Sequence, residues 1–505
     1  MPLPAMERVP VEVWLRILRF ALAPPLSPAP SDSILDYRVV FLTGCDSDHV
    51  ALAHENDIAN CRLVCKSWDT TVKKLQEIAI LCDFEKRIRR PRRPSFGTPP
   101  EFEYVPSHLC QEPVPEMQPI VTRIEAWTKG SHCHCFRSTC RYKKLSPPGD
   151  HPLRDLSAAP GSDKSVSNIK SLLIGMKVDD DYLIGLLDAM PSLTALFCRI
   201  RDKPAWRTMF ERAPFQRLTH LQVRVSWAPF CRSLSHVALS ELVYLGVVFF
   251  LPDDDSDYAN PPIDNVYWCA QPKLRYLDLE GEVLECRREE FYAFLAVERP
   301  NVSGLVLRVR LDEYANSEYL FPPNLSASFP NLTFFGVDAG ALLLPSFPPA
   351  PNTTSIDFML CFSTIDKWYR SEMPTADDFF NSIRKVCRGW KPNRIVLSTT
   401  WETEAQFIDG FKLVGRTERP RAFYLPHYAR FFQVLNEEGI AVVDRNGEST
   451  EKTEGRRYVE SLETRGFDKY DNGPQLHRAW LDSLPKIPFK PGTKGGTSWP
   501  VVDSD

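Results

Sequence analysis

The stretches Leu218–Val223 (LTHLQV), Leu242–Val247 (LVYLGV) and Leu274–Leu279 (LRYLDL) share one spacing, with apolar residues at k, k+3 and k+5. The pair k+3 and k+5 has the two-residue period of a strand, and the pattern returns after 24 and then 32 residues, as in a stacked unit. The series extends in both directions. Upstream lie Ile169, Leu172, Ile174 and Leu193, Leu196, Cys198. Downstream lie Val302, Leu305, Leu307, then Leu332, Phe335, Val337, and last Ile356 and Phe358 with Thr353 in the first slot. Successive starts are 21 to 32 residues apart. Between them, Asp181–Met190, Ala205–Arg212 and Arg287–Glu298 carry helical apolar spacing. One strand and a returning helix cannot close a core alone, so the spacing predicts an α/β solenoid of about eight irregular, leucine-rich-repeat-like units over residues 161–443. Helices at Phe379–Trp390 and Tyr428–Asn436, with strands at Ile395–Leu397 and Ile440–Val443, are expected to cap it.

Strand alternation then assigns faces. If k+3 and k+5 point inward, k+2, k+4 and k+6 point out, which selects His220, Gln222, Arg224, Tyr244, Tyr276, Asp278, Glu280, Arg308, Phe334 and Asp338, with Asp357 beyond them. Parallel sheets covered on both faces prefer apolar residues throughout, so this ladder of aromatic and charged groups predicts an open concave surface. Aromatic and Arg anchors with charges between them suit a protein substrate.

At the other end of the chain, Val9–Phe20 (VPVEVWLRILRF) opens with Pro10 at a first-turn position and is apolar at Val11, Val13, Trp14, Leu15, Ile17, Leu18 and Phe20. Its polar residues, Glu12, Arg16 and Arg19, form one narrow stripe. A second helix is expected around Cys61–Trp68 (CRLVCKSW), where Cys61, Val64, Cys65, Trp68, Val72, Leu75 and Ala79 line one face and Leu63 stands off it. Leaving such surface in water costs roughly 1.5 to 3 kcal/mol per large side chain, so these helices call for a partner protein.

On Val9-Pro10-Val11-Glu12, Ile17-Leu18 and Arg62-Leu63-Val64-Cys65-Lys66-Ser67-Trp68 the chain resembles the F-box, the helical module that docks substrate receptors onto the Skp-type adaptor of SCF ubiquitin ligases. The resemblance implies an F-box-like module over residues 1–85, with Pro10, Val11, Trp14, Leu15, Leu18, Leu63, Val64 and Trp68 facing the adaptor. Between its halves, Ala23–Asp57 replaces a shorter link and contains Pro24, Pro25, Pro28, Pro30 and an apolar run from Ile34 to Leu42. Joined to the repeats, the module is similar to F-box and leucine-rich-repeat substrate receptors, and the irregular repeats and insertion are similar to the divergent F-box families of mushroom-forming fungi. The implied role is non-catalytic: to hold a protein substrate while adaptor and cullin position a ubiquitin-charged conjugating enzyme. A scaffold that binds partners without any ligase is the alternative.

Composition bounds the rest. The 505 residues exceed what one core usually holds, and 43% hydrophobic with 25% charged content is that of a globular protein. A net charge of -4 gives no general pull toward nucleic acid or anionic membrane. No secretory signal or bilayer-length apolar run is visible, and 14 irregularly spaced cysteines suit reduced thiols, so a cytoplasmic or nuclear location is expected. Residues 86–160 read as a proline-rich linker, with six basic residues in Lys86–Arg93, and residues 444–505 as a flexible tail.

Chemical motifs are weak. His132, Cys133, His134, Cys135 and Cys140 are close together but lack paired C-x-x-C spacing; with the basic run they give a third reading, a zinc-dependent nucleic-acid module. Asp253, Asp255, Asp257 and Asp264 match part of a calcium loop, but Tyr258 replaces its glycine. Sequons at Asn301, Asn324, Asn331 and Asn352 read as turn residues. No nucleophile elbow, phosphate loop or H-E-x-x-H pair is present, so no metal, cofactor or catalytic residue is expected.

Overall fold

In the computed structural model, the structure describes Ile34, residues 77–89, 101–106 and 120–128, and much of 168–250, 271–361, 376–397 and 434–444. Two compact units divide the chain, Met1–Met359 and Leu360–Asp505.

The first unit is α/β, built on a largely parallel sheet. Its repeat strands are β4 (Ser171–Ile174), β5 (Ala195–Arg199), β6 (His220–Val225), β7 (Tyr244–Phe249), β8 (Tyr276–Leu284), β9 (Gly304–Asp312) and β10 (Phe334–Asp338). Consecutive strands are neighbours and parallel, with Ser171, Ala195, His220, Tyr244, Tyr276, Gly304 and Phe334 in one row. All seven are k+2 positions. The register read from the leucines is therefore the register of the sheet.

A repeated turn sets that register. At six of the starts, residue k donates its N–H to the carbonyl of k−3: Leu193 to Met190, Leu218 to Phe215, Leu242 to Leu239, Leu274 to Gln271, Val302 to Arg299 and Leu332 to Phe329, at 3.1 to 3.3 Å. The N–H groups of k+1 and k+2 then both reach the k+1 carbonyl of the preceding unit, as Thr219 and His220 do to Thr194. Side chains reinforce these bonds. Thr219 Oγ1 donates to Thr194 O and Thr333 Oγ1 to Ser303 O, while Asn301 and Asn331 donate from Nδ2 to Pro272 O and Pro300 O. The Pro-Asn turns at Asn301 and Asn331 thus pin their units to the preceding ones, which gives two of the sequon asparagines a structural task.

Position k−3 is a core slot that the sequence pattern did not reveal. Met190, Phe215, Leu239 and Phe329 fill it with apolar side chains, whereas Gln271 and Arg299 bury polar ones. Both polar residues satisfy backbone groups. Gln271 bonds Val237 O and Leu239 N, and Arg299 donates to Phe294 O and Val297 O at the end of the helix Arg288–Ala296, while stacking over the Phe294 ring. Burial pulls the Arg299 guanidinium down to about 9 from its usual value.

Under the sheet, k+3 and k+5 residues such as Leu196, Leu221, Leu277 and Leu305 are fully buried. The connecting segments include α1 (Asp180–Asp188), α2 (Ala213–Gln216), α3 (Arg288–Ala296) and α4 (Leu325–Ser328), with a 3-10 turn at Glu285–Arg287 leading into α3. Asn324 caps α4 by accepting from Ala327 N. On this side Trp227, Phe230, Phe249, Phe291 and Phe294 form a ring cluster with centroids 5.0 to 6.0 Å apart. Gly281 is required beneath it. Its φ is +113°, and a Cβ there would lie 2.0 Å from the Phe249 carbonyl oxygen.

Three further strands correct the sequence reading. Residues 77–89 form β1, 101–106 form β2 and 120–128 form β3, and the sheet order runs β2-β1-β3-β4. β3 is parallel to β4 and to β1, and β2 is antiparallel to β1. Ala79, assigned to a helical stripe, is in β1, as is much of the basic run, and the expected linker supplies β2 and β3. The last repeat also starts later than expected. Asp357 N bonds Thr333 O as its k+2 counterparts do, so in β11 (Asp357–Cys361) Asp357 takes k+2 and the start is residue 355.

The second unit holds α5 (Ala376–Trp390) and the parallel pair β12 (Arg394–Leu397) and β13 (Ala441–Val443). Ion pairs Arg384–Glu437 and Arg388–Glu438 join α5 to the turn before β13. Lys391 ends α5 at φ 46°, its N–H bonded to Cys387 O. No helix among the described residues is long and apolar enough to cross a membrane.

Candidate protein-binding face

The face made by k+2, k+4 and k+6 was expected to be open, and this is corrected. Tyr244, Tyr276, His220, Asp278, Arg308 and Asp338 are buried; Gln222, Glu280 and Phe334 are half-buried; Arg224 alone of the ten is exposed. Size alternation across strands closes the surface. In the k+2 row Gly304 lies between Tyr276 and Phe334; in the k+4 row Gly246 lies between Gln222 and Asp278, and Gly336 between Val306 and Met359. Each glycine makes room for a larger neighbour. A Cβ on Gly304 would meet Tyr276 Cδ1 at 2.7 Å, and one on Gly336 would meet Met359 Cε at 2.7 Å and Val306 Cγ2 at 2.9 Å.

The result is an apolar cluster of Leu173, Ala195, Phe197, Tyr244, Tyr276, Val306 and Met359, bordered by Val243 and Phe334. Its remaining member is not from the repeats. Ile34, 1% exposed, joins the cluster, and its Cβ lies 3.4 Å from where a Gly304 Cβ would be. Leu173, Phe197, Val306, Met359 and Gly304 follow from the same alternation rule as the ladder residues, although none of them carries a polar side chain.

Charged groups gather at the C-terminal ends of the strands, and several of them pair with one another. Glu280 and Arg308 are directly opposed on β8 and β9 and ion-paired; Glu282 and Arg310, two residues on, pair at 3.1 Å. Tyr244 Oη donates to Asp278 Oδ2 at 3.0 Å and Tyr319 Oη to Asp338 Oδ2 at 3.1 Å. Arg199 and Arg224 both approach the Phe250 ring, at 4.6 and 5.6 Å from its centroid. The expected ladder is thus an internally paired network along one margin, beside an apolar field.

Burial sets the ionisation of this network. The His220 imidazole is pulled down to about 4 by desolvation, its Nδ1 2.7 Å from Thr219 Oγ1. The Asp338 carboxyl is pushed up by burial, with Arg308 opposing and Glu280 adding to the rise. Thiols at Cys198 and Cys387 are pushed up to about 12, which makes them poor nucleophiles. Among the described residues no cluster of three His, Cys, Asp or Glu could hold a metal ion. The adaptor-facing set Pro10, Val11, Trp14, Leu15, Leu18, Leu63, Val64 and Trp68 lies outside the described residues, as do the 132–140 Cys/His cluster and the 253–264 acidic loop. The chain matches no protein-family model and no curated protein.

Proposed function

We propose that the chain is the substrate-recognition subunit of an SCF-type ubiquitin ligase, an F-box-like module joined to a leucine-rich-repeat-like solenoid. The observation that carries the binding half is the seven-strand register, which gathers Phe197, Tyr244, Tyr276, Val306 and Phe334 on one side, next to the Glu280–Arg308 margin. Aromatic anchors beside a charged border are the composition of protein-recognition surfaces. The docking half rests on sequence, through Val9–Glu12, Ile17-Leu18 and Arg62–Trp68. Pro10, Val11, Trp14, Leu15, Leu18, Leu63, Val64 and Trp68 would contact the Skp-type adaptor, which in turn binds cullin. The chain then performs no covalent step. It raises the local concentration of a substrate near the charged conjugating enzyme, working in the cytoplasm or nucleus. Capture of adaptor and cullin by the full chain, and its loss in a docking-helix variant, tests this reading.

A further inference from the structure

The central part of the ladder face is filled by the chain itself. Ile34 belongs to the Ala23–Asp57 insertion, yet it is buried among Tyr244, Tyr276, Val306 and Met359, side chains more than 200 residues away in sequence. The sheet is shaped for it. Gly304 is the one k+2 position between two aromatic residues, Tyr276 and Phe334, and it leaves the hollow that Ile34 enters; even a methyl group there would press on Tyr276 and touch Ile34.

We propose that Ile34 is an internal ligand: its side chain occupies the apolar hollow beside Gly304 on the ladder face and is released when a partner takes that place. This rests on reading the face as a recognition surface. The chemistry follows from the occupant: the partner presents a branched aliphatic side chain to the Tyr276–Gly304–Phe334 hollow. Two features favour a releasable ligand over a fixed core piece. The strand register and the leucine core beneath are complete without Ile34, since each repeat buries its own k+3 and k+5 residues and bonds its neighbours through k+1 and k+2. The contact is also tethered through a long, proline-rich insertion, so it acts at an effective concentration and weakens any competitor by that factor.

The probe is a fluorescein-labelled peptide of residues 30–42 (PSDSILDYRVVFL), titrated into the full chain and followed by anisotropy. Full-length Ile34→Asp should bind it saturably and at least about tenfold more tightly than wild type, whose face is already filled. The same peptide carrying the Ile34→Asp change should not bind. Equal binding to both chains, or none to a folded Ile34→Asp chain, overturns the proposal. If that variant does not fold, a chain with residues 30–42 replaced by a Gly/Ser linker takes its place; failure of both to fold also overturns it, since a releasable ligand cannot be essential to the fold. Adaptor capture by the same variants is scored separately, so loss of the ligase reading and loss of this one are distinguishable.

Discussion

The Tyr244 hydroxyl on β7 donates to Asp278 Oδ2 on β8, diagonally across the ladder face, and both residues are buried. The bond lets an aromatic ring and a carboxylate share one covered surface. Tyr244→Phe keeps the ring and removes one donor from the buried carboxylate, so it should lower stability by about 1 to 3 kcal/mol, read from the urea midpoint at constant m. An unchanged midpoint would show that water replaces the hydroxyl without cost.

Gly281 separates backbone strain from packing. Its positive φ and the 2.0 Å approach of an added Cβ to Phe249 O predict that Gly281→Ala costs more than about 2 kcal/mol or yields no folded chain. Gly439 is the control: φ is 71° but nothing lies within 4 Å of an added Cβ, so Gly439→Ala should cost only about 1 kcal/mol. Equal losses on thermal melting would contradict the β7–β8 geometry.

His220 and Asp338 should act on stability with opposite signs. The folded His220 value, about 4, lies below the unfolded value near 6.5, so its contribution is complete above about pH 6.5 and is lost as pH falls toward 4. The loss is on the order of 3 kcal/mol, and His220→Asn should flatten that slope in urea titrations across this range. Asp338 has a raised folded value, so its contribution is greatest at low pH and is lost as pH rises through that value. Asp338→Asn, which can still accept from Tyr319, should be neutral or stabilising at pH 8 and near neutral at pH 4. Destabilisation at pH 8 would mean that the carboxylate is better satisfied by Arg308 than its burial suggests.

The leucine spacing made the sheet legible because k, k+3 and k+5 report a burial pattern local to each unit. Leu245 and Leu277 declare their strands without knowledge of their partners, and they also fix the row that pairs Tyr244 with Tyr276. What is decided by distant contact was not legible. Nothing near Ile34 in sequence announces Gly304, and nothing near Tyr276 says that its ring will be covered, so the face was read as open. β1 was missed for a different reason. Ile78, Ile80, Cys82 and Phe84 alternate as a strand should, but the helical stripe from Cys61 extends to Ala79 and claimed the segment. Proline content similarly concealed β2 and β3, whose strands pair on either side of the proline-rich stretches.

The charged margin should matter for recognition more than for folding. Glu280–Arg308 lies toward the half-exposed end of the face, so Arg308→Ala should lower stability by about 1 to 3 kcal/mol by removing the ion-pair partner of Glu280 and a favourable charge beside the buried Asp338 carboxyl. Combined with Tyr276→Ala, it should abolish substrate capture from lysate while adaptor capture is retained. Retained substrate capture would place recognition on another surface.

Adaptor capture tests the central claim most directly. Tagged full-length chain, mixed with purified Skp-type adaptor and cullin, should retain both, and Pro10→Ala with Leu18→Asp should lose both while keeping the wild-type thermal melt. Failure of the wild-type chain to retain the adaptor, or equal retention by the variant, would contradict the account.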